Sequence, residues 1–163
     1  MGRVLARMAS ELVEQTADGG DLVLVGIQRR GVQLADRIAP LIESQLGRPV
    51  KRGTLGITLY RDDLQAIGPR PEVHETRLPP DLNGATVVIV DDVMFTGRTV
   101  RAAMDAVLDF GRPGAIQVAV LVDRGHRELP IKVDFVGKNI PTSRAERVVL
   151  RARPDGELEV AVV

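Results

Sequence analysis

The chain has 163 residues, 44% hydrophobic and 27% charged, enough for one domain with a sizeable core and too few for two ordinary ones. Lysines plus arginines number 22 and so do aspartates plus glutamates, so the molecule as a whole lacks the basic field of a general nucleic-acid binder, and any RNA site has to be a local patch. Cysteine is absent, which excludes disulfides, a thiol nucleophile and thiolate metal sites. No apolar run approaches the roughly 18 residues of a membrane span and no signal peptide is visible, so the chain reads as a cytoplasmic protein with no membrane partner.

Residues 3–17 carry a helical stripe of Val4, Leu5, Met8, Leu12 and Val13, ended by Asp18-Gly19-Gly20. DLVLVGI at 21–27 is a continuous apolar run, the pattern of a strand buried on both faces of a parallel sheet. Leu34, Ala35, Ile38, Leu41 and Ile42 predict a helix over 32–46, closed by Gly47, with a kink or break at Pro40. An extended stretch over 50–60 leads into 61–84, which is rich in proline and glycine, lacks periodicity and reads as a long functional loop. VVIV at 87–90 is a second buried strand, and Val100, Ala103, Met104, Val107 and Leu108 mark the next helix, stopped by Gly111 and Pro113. Further strands are expected near 115–122, 132–137, 146–151 and 157–163. This alternation predicts a single α/β domain over 1–163, an open and mostly parallel sheet flanked by helices, with ligands bound beyond the carboxyl ends of the strands.

Two motifs fall at such ends. In VVIVDDVMFTGRT, 87–99, four apolar residues run into Asp91 and Asp92, and Thr96-Gly97-Arg98-Thr99 then opens a helix. Two adjacent acids at the rim of a buried layer repel each other unless a cation or a polar ligand compensates them, a solvated strand exit being the plainer reading, and backbone N–H groups and hydroxyls at a helix start can hold a phosphate. A sugar phosphate has both features, its hydroxyls donating to the carboxylates and its phosphate held in the N–H nest. The Walker loop GxxxxGK[ST] and the dinucleotide GxGxxG are both absent. The second motif, GIQRRG at 26–31, taken alone is equally a surface turn with two solvated arginines.

VVIVDDVMFTGRT resembles the phosphoribosyl-diphosphate motif of the type I phosphoribosyltransferases, and VGIQRRG, ITLYRDDL, VDRGHRELPI and GKNIPTS extend that likeness, in order, over nearly the whole chain. Together the five motifs resemble the pyrimidine operon regulators that double as uracil phosphoribosyltransferases. The resemblance implies a type I phosphoribosyltransferase fold with a long lid loop and, with Mg²⁺ held mainly through diphosphate and water, conversion of uracil and 5-phosphoribosyl diphosphate to UMP and diphosphate. It assigns Asp91 and Asp92 to the ribose hydroxyls, Met94, Phe95, Thr96, Gly97, Arg98 and Thr99 to the 5′-phosphate, with Val93 also against the substrate, and Arg29 and Arg30 to the diphosphate. It implies that Arg61 is a catalytic residue on the lid, with Arg70, His74 and Arg77 further along it, and that Arg124, Lys138 and Asn139 contact the nucleotide and its base. Purine-salvage relatives usually carry an acid where this chain has Phe95, which favours a pyrimidine. No protein side chain is expected as a direct metal ligand.

The same likeness implies a second activity, UMP- or UTP-dependent binding of pyrimidine-operon leader RNA, and assembly into homodimers or higher homo-oligomers. Residues 124–153 hold eight basic side chains against three acidic ones in an otherwise neutral protein, which suits a phosphate-binding face. Arg7, His126, Arg127, Lys132 and Lys138 are the expected RNA contacts. Near Arg7, the Thr and His often present in RNA-binding members are replaced by Ala6 and Ser10. A nucleotide sensor, or a phosphoribosyltransferase for another base without RNA regulation, is the alternative reading.

Overall fold

A computed structural model describes residues 1–16, 20–57 and 75–163. In chain order the elements are α1 (Gly2–Gln15), β1 (Leu22–Ile27), α2 (Arg30–Leu46), β2 (Lys51–Leu55), β3 (Thr86–Met94), α3 (Arg98–Leu108), β4 (Ala115–Asp123), β5 (Phe135–Asn139), β6 (Val148–Ala152) and β7 (Leu158–Val162). The first five strands form one sheet in the order β2-β1-β3-β4-β5, every pair parallel. Their apolar runs are continuous because both faces are covered. On one face Leu22, Leu24, Val88, Val90, Ala119 and Leu121 pack under α1 and α2. On the other, Val23, Val25, Val87 and Ile89 pack with Ala103 and Val107 of α3.

The helix that follows β1 thus lies on one face and the helix that follows β3 on the other. Between neighbouring strands whose chains depart in opposite directions a crevice opens at the carboxyl edge, the usual ligand position in open α/β sheets. Gly26 and Gly31 let the α2 start press into that edge. A β-carbon on Gly31 would stand 2.2 Å from the Val90 carbonyl oxygen and 3.2 Å from Asp91 Cα, and one on Gly26 would stand 2.6 Å from Val32 Cα. The glycines of GIQRRG are therefore packing requirements as well as turn residues.

Several sequence expectations change. α2 runs unbroken through Pro40, which is exposed together with Asp36 one turn earlier, so water can satisfy the carbonyl that loses its partner. β3 continues past VVIV, pairing Asp91 with Val120, Val93 with Val122 and Met94 with Asp123, so the two acids lie inside a strand and not at its exit. β5 starts at Phe135, later than expected, because Asp134 is used locally: its Oδ2 accepts the Val118 N–H at 2.9 Å and its own N–H donates to the Val118 carbonyl at 3.0 Å. β6 and β7 form a separate antiparallel ribbon that places Leu150 and Leu158 against the α1–α2 side of the core. Residues 58–74, which include the end of the expected extended stretch and much of the expected loop over 61–84, lie outside the described residues, and beyond them paired bonds join Thr54 and Arg77 at 2.7 and 2.9 Å.

Replacing Gly31 by Ala should cost about 1–3 kcal/mol of stability, the usual penalty for forcing atoms into a packed site. Urea unfolding checks this; an unchanged midpoint would contradict the close approach of α2 to β3.

Candidate active site

Because successive side chains on a strand point to opposite faces, Asp91 and Asp92 diverge although adjacent in sequence. Asp91 is only 4% exposed, whereas Asp92 is half-buried at the mouth. Each carboxylate is oriented by the next peptide: Asp91 Oδ1 accepts the Asp92 N–H at 2.9 Å, and Asp92 Oδ1 accepts the Val93 N–H at 2.8 Å. The repulsion of two like charges is thereby reduced by geometry and by local dipoles.

Beyond Met94 the chain turns through Phe95 and Thr96 to Gly97, whose φ of 97° suits glycine, and α3 begins at Arg98. Thr96, 5% exposed, accepts the Arg98 N–H on its hydroxyl at 3.3 Å. The first N–H groups of a helix have no partner within it and attract anions. Across the crevice, the β1–α2 connection has a cis Gln28–Arg29 peptide, and the Gln28 N–H donates to the Leu55 carbonyl at 2.9 Å. Arg29 is exposed, and Arg30 is half-buried with its guanidinium on Gln33 at 3.2 Å. Asp91, Asp92, residues 93–99 and Arg29–Arg30 thus meet at the ends of β1 and β3. Arg61, with Arg70 and His74, lies outside the described residues.

The arginines of VDRGHRELPI are engaged within the protein. Arg124, 7% exposed, donates from Nε to Thr142 Oγ1 at 3.2 Å and from Nη2 to the Ser143 carbonyl at 2.8 Å. Its guanidinium stacks 4.1 Å from the Phe95 ring centroid, and the His126 ring meets Phe95 edge-on at 5.7 Å. His126 Nε2 lies 2.7 Å from the Thr142 carbonyl. Burial lowers the Arg124 pKa and the neighbouring Glu146 partly offsets that. Arg127 forms a bidentate pair with Asp123 at 2.6 and 3.0 Å and also donates to the carbonyls of Phe95 and Ile131. Arg7, expected at an RNA face, bonds Glu11 at 2.8 Å and the carbonyls of Val136 and Gly137, covering part of the β5 edge. Lys132, Lys138 and Asn139 are exposed, and Lys138 lines a groove of about 240 Å³ between α1 and the β6–β7 ribbon.

Asp123, Glu128, Thr142 and Ser143 escape motif reading. Glu128 receives Arg98 Nε and Arg144 Nη1, each at 3.2 Å, and these hydrogen bonds hold its carboxyl below the usual range. Thr142 and Ser143 carry no chemical signal, because they act as acceptors for Arg124 through a hydroxyl and a carbonyl. Asp123 and Arg127 have i,i+4 spacing, but outside a helix that spacing says nothing about contact.

Burial pushes the Asp123 carboxyl up, but the Arg127 hydrogen bonds and charge, with the Gly125 N–H, outweigh it and leave the pKa below its ordinary value of 3.8. A depressed pKa means that this pair stabilises the fold above the ordinary carboxylate range and stops doing so as pH falls through the folded value. The stability difference between wild type and Asp123→Asn should therefore be constant from neutral pH to about pH 5 and shrink below about pH 4. Denaturant titrations at stepped pH check this; a difference that grew on acidification would refute it.

Comparison with known proteins agrees with this architecture. The family model described as "Phosphoribosyl transferase domain" matches residues 1–151. The protein is 59% identical over 162 residues to the bifunctional protein PyrR of Chloroflexus aurantiacus, covering 99% of this chain and 89% of that one. It is 58% identical over 158 residues to bifunctional protein PyrR of Thermus thermophilus, covering 96% and 87%. Among solved structures, a hypoxanthine-guanine phosphoribosyltransferase from Bacillus anthracis superposes with TM-score 0.67 at 16% identity over 85% of this chain and 76% of that one, a likeness of fold alone. A sheet whose β1 and β3 ends carry a paired-acid strand and a glycine-capped turn into α3, matched over its length by these relatives, places the chain in the phosphoribosyltransferase family, within its PyrR group.

Proposed function

We propose that the protein transfers the phosphoribosyl group of 5-phosphoribosyl diphosphate to uracil, giving UMP and diphosphate, and that residues 1–163 act as one catalytic unit. The observation that carries this reading is the meeting of Asp91 and Asp92 with the 94–99 loop at the crevice between β1 and β3. Carboxylates beside a ribose accept its hydroxyls, and their charge favours the oxocarbenium-like sugar that forms as the diphosphate leaves. Residues 94–99 hold the 5′-phosphate, and Arg29 and Arg30 face the leaving diphosphate, which gains charge as the glycosidic carbon separates from it. Phe95, in the position that carries an acid in purine enzymes, presents an apolar ring where a carboxylate would address a purine.

Among the described residues no group of three or more His, Asp or Glu could hold a metal ion. Mg²⁺ fits this site as an ion held by substrate oxygens and water, with Asp91 and Asp92 nearby, because it sheds hydration reluctantly. Bound in that way, it neutralises diphosphate charge.

The bifunctional naming of the relatives, together with the exposed Lys132, Lys138, Arg144, Arg147, Arg151 and Arg153, favours a second activity: UMP- or UTP-dependent binding of pyrimidine-operon leader RNA. Arg124 and Arg127, committed to internal contacts, contribute less to such a face than their charge suggests. Homodimers or higher homo-oligomers belong to the same reading.

An assay for labelled UMP from uracil and 5-phosphoribosyl diphosphate, run alongside hypoxanthine and guanine, should give product with uracil alone. No product with any base would overturn the enzymatic reading, and a purine nucleotide would overturn the choice of base. Asp92→Asn should lower kcat/KM by on the order of 10²-fold, the loss expected for one electrostatic partner of the transition state; retained activity would contradict its role. Leader RNA should show a UMP-dependent electrophoretic shift at modest salt, and its absence would count against regulation.

A further inference from the structure

The segment 123–131, whose Arg124 is the one expected nucleotide contact in it, also donates to three successive carbonyls of the phosphate loop. The Arg124 N–H donates to the Met94 carbonyl at 3.1 Å, Arg127 Nη1 to the Phe95 carbonyl at 3.0 Å, and the Glu128 and Leu129 N–H groups to the Thr96 carbonyl at 2.9 and 3.2 Å. In a planar trans peptide the carbonyl of one residue and the N–H of the next point in opposite directions. With the Phe95 and Thr96 carbonyls turned toward 127–129, the N–H groups of Thr96 and Gly97 are turned away from that segment. They join the first N–H groups of α3, and successive N–H groups on one side make an anion nest.

Met94 and Thr96 are held by backbone donors, but the Phe95 carbonyl is held by a side chain. That side chain is itself fixed at three points: both Asp123 oxygens, at 3.0 and 2.6 Å, and the Ile131 carbonyl, which accepts Nε at 3.1 Å. The positive φ of Gly125, 80°, and of His126, 67°, turns the chain back so that residue 127 lies under the loop. Only a guanidinium has donors disposed to span a carboxylate and two carbonyls at once.

We propose that Arg127, fixed by Asp123, is a positioning residue for the 5′-phosphate: it sets the peptide between Phe95 and Thr96 so that its N–H faces the anion. In this role Arg127 acts on the phosphate through the loop backbone and not by touching it. The inference rests on the reading of residues 94–99 as the phosphate loop.

Calorimetric binding of UMP and of uridine, which differ by the phosphate alone, tests it on wild type, Arg127→Lys, Arg127→Met and Asp123→Asn, with melting temperatures for each. Wild type should bind UMP far more tightly than uridine. Both Arg127 variants should lose UMP affinity by about 10- to 100-fold, the range typical for removing an outer support of a ligand site, while uridine affinity stays within about twofold. The lysine variant should not rescue binding, because charge without the fork cannot reach all four acceptors; KM for 5-phosphoribosyl diphosphate should rise in parallel. A UMP-to-uridine ratio unchanged in a folded variant would overturn the proposal, as would parallel loss of both ligands. Failure of both Arg127 variants to fold would also overturn it, since it would make the residue part of the core. A wild-type protein with no preference for UMP would instead refute the proposed function.

Discussion

Everything at the site depends on the pairing of β1 with β3 and on the departure of their helices to opposite faces of the sheet. That arrangement opens a crevice at one edge and brings two short connections, 28–29 and 95–97, to its walls. It is kept open at close quarters: Gly31 seats the α2 start against the Val90 carbonyl, next to Asp91. Had the two helices covered the same face, one would lie across the position that the other's N-terminus uses, and the paired acids would lose access to a ligand.

The charges around this edge are arranged in two layers. Asp91 and Asp92 belong to the crevice and are oriented by the peptides that follow them. Behind the loop, Asp123 and Arg127, with Glu128 between Arg98 and Arg144, form a second layer that holds the loop's shape. Most of these outer pairs are partly exposed and contribute little to stability by themselves. Their effect is on conformation, because each bond removes a direction in which the loop could relax. The stack of Arg124 on Phe95 links that layer to Thr142 and Ser143, so the Phe95 ring is also packed from behind.

How much of this was legible in the sequence depended on the range of the interaction. The strands VLVGI and VVIV and the stripes of α1 and α3 follow from local periodicity, which burial reproduces except at Leu108, which is exposed at the end of α3. The placement of Asp91 and Asp92 toward the carboxyl edge of the sheet also follows, since a parallel sheet fixes which ends of its strands face the crevice. The continuation of β3 through the acids was not legible, because its ladder is formed with Val120 and Val122, some thirty residues away. The internal hydrogen bonds of Arg124, Arg127 and Arg7 escape sequence reading for the same reason. A basic residue in a polar motif looks solvent-facing, and its carbonyl acceptors, on Ser143, Phe95, Val136 and Gly137, belong to backbone that carries no signal in residue type.

The central claim is that the backbone N–H groups around Gly97 receive the 5′-phosphate while the acids of β3 receive the ribose. Amide chemical shifts of the ¹⁵N-labelled protein, titrated in parallel with UMP and uridine, test it most directly. A downfield shift of the Thr96 and Gly97 amide protons with UMP and not with uridine is the predicted result. Equal responses to both ligands, or a phosphate-dependent response confined to residues 28–30, would contradict the account.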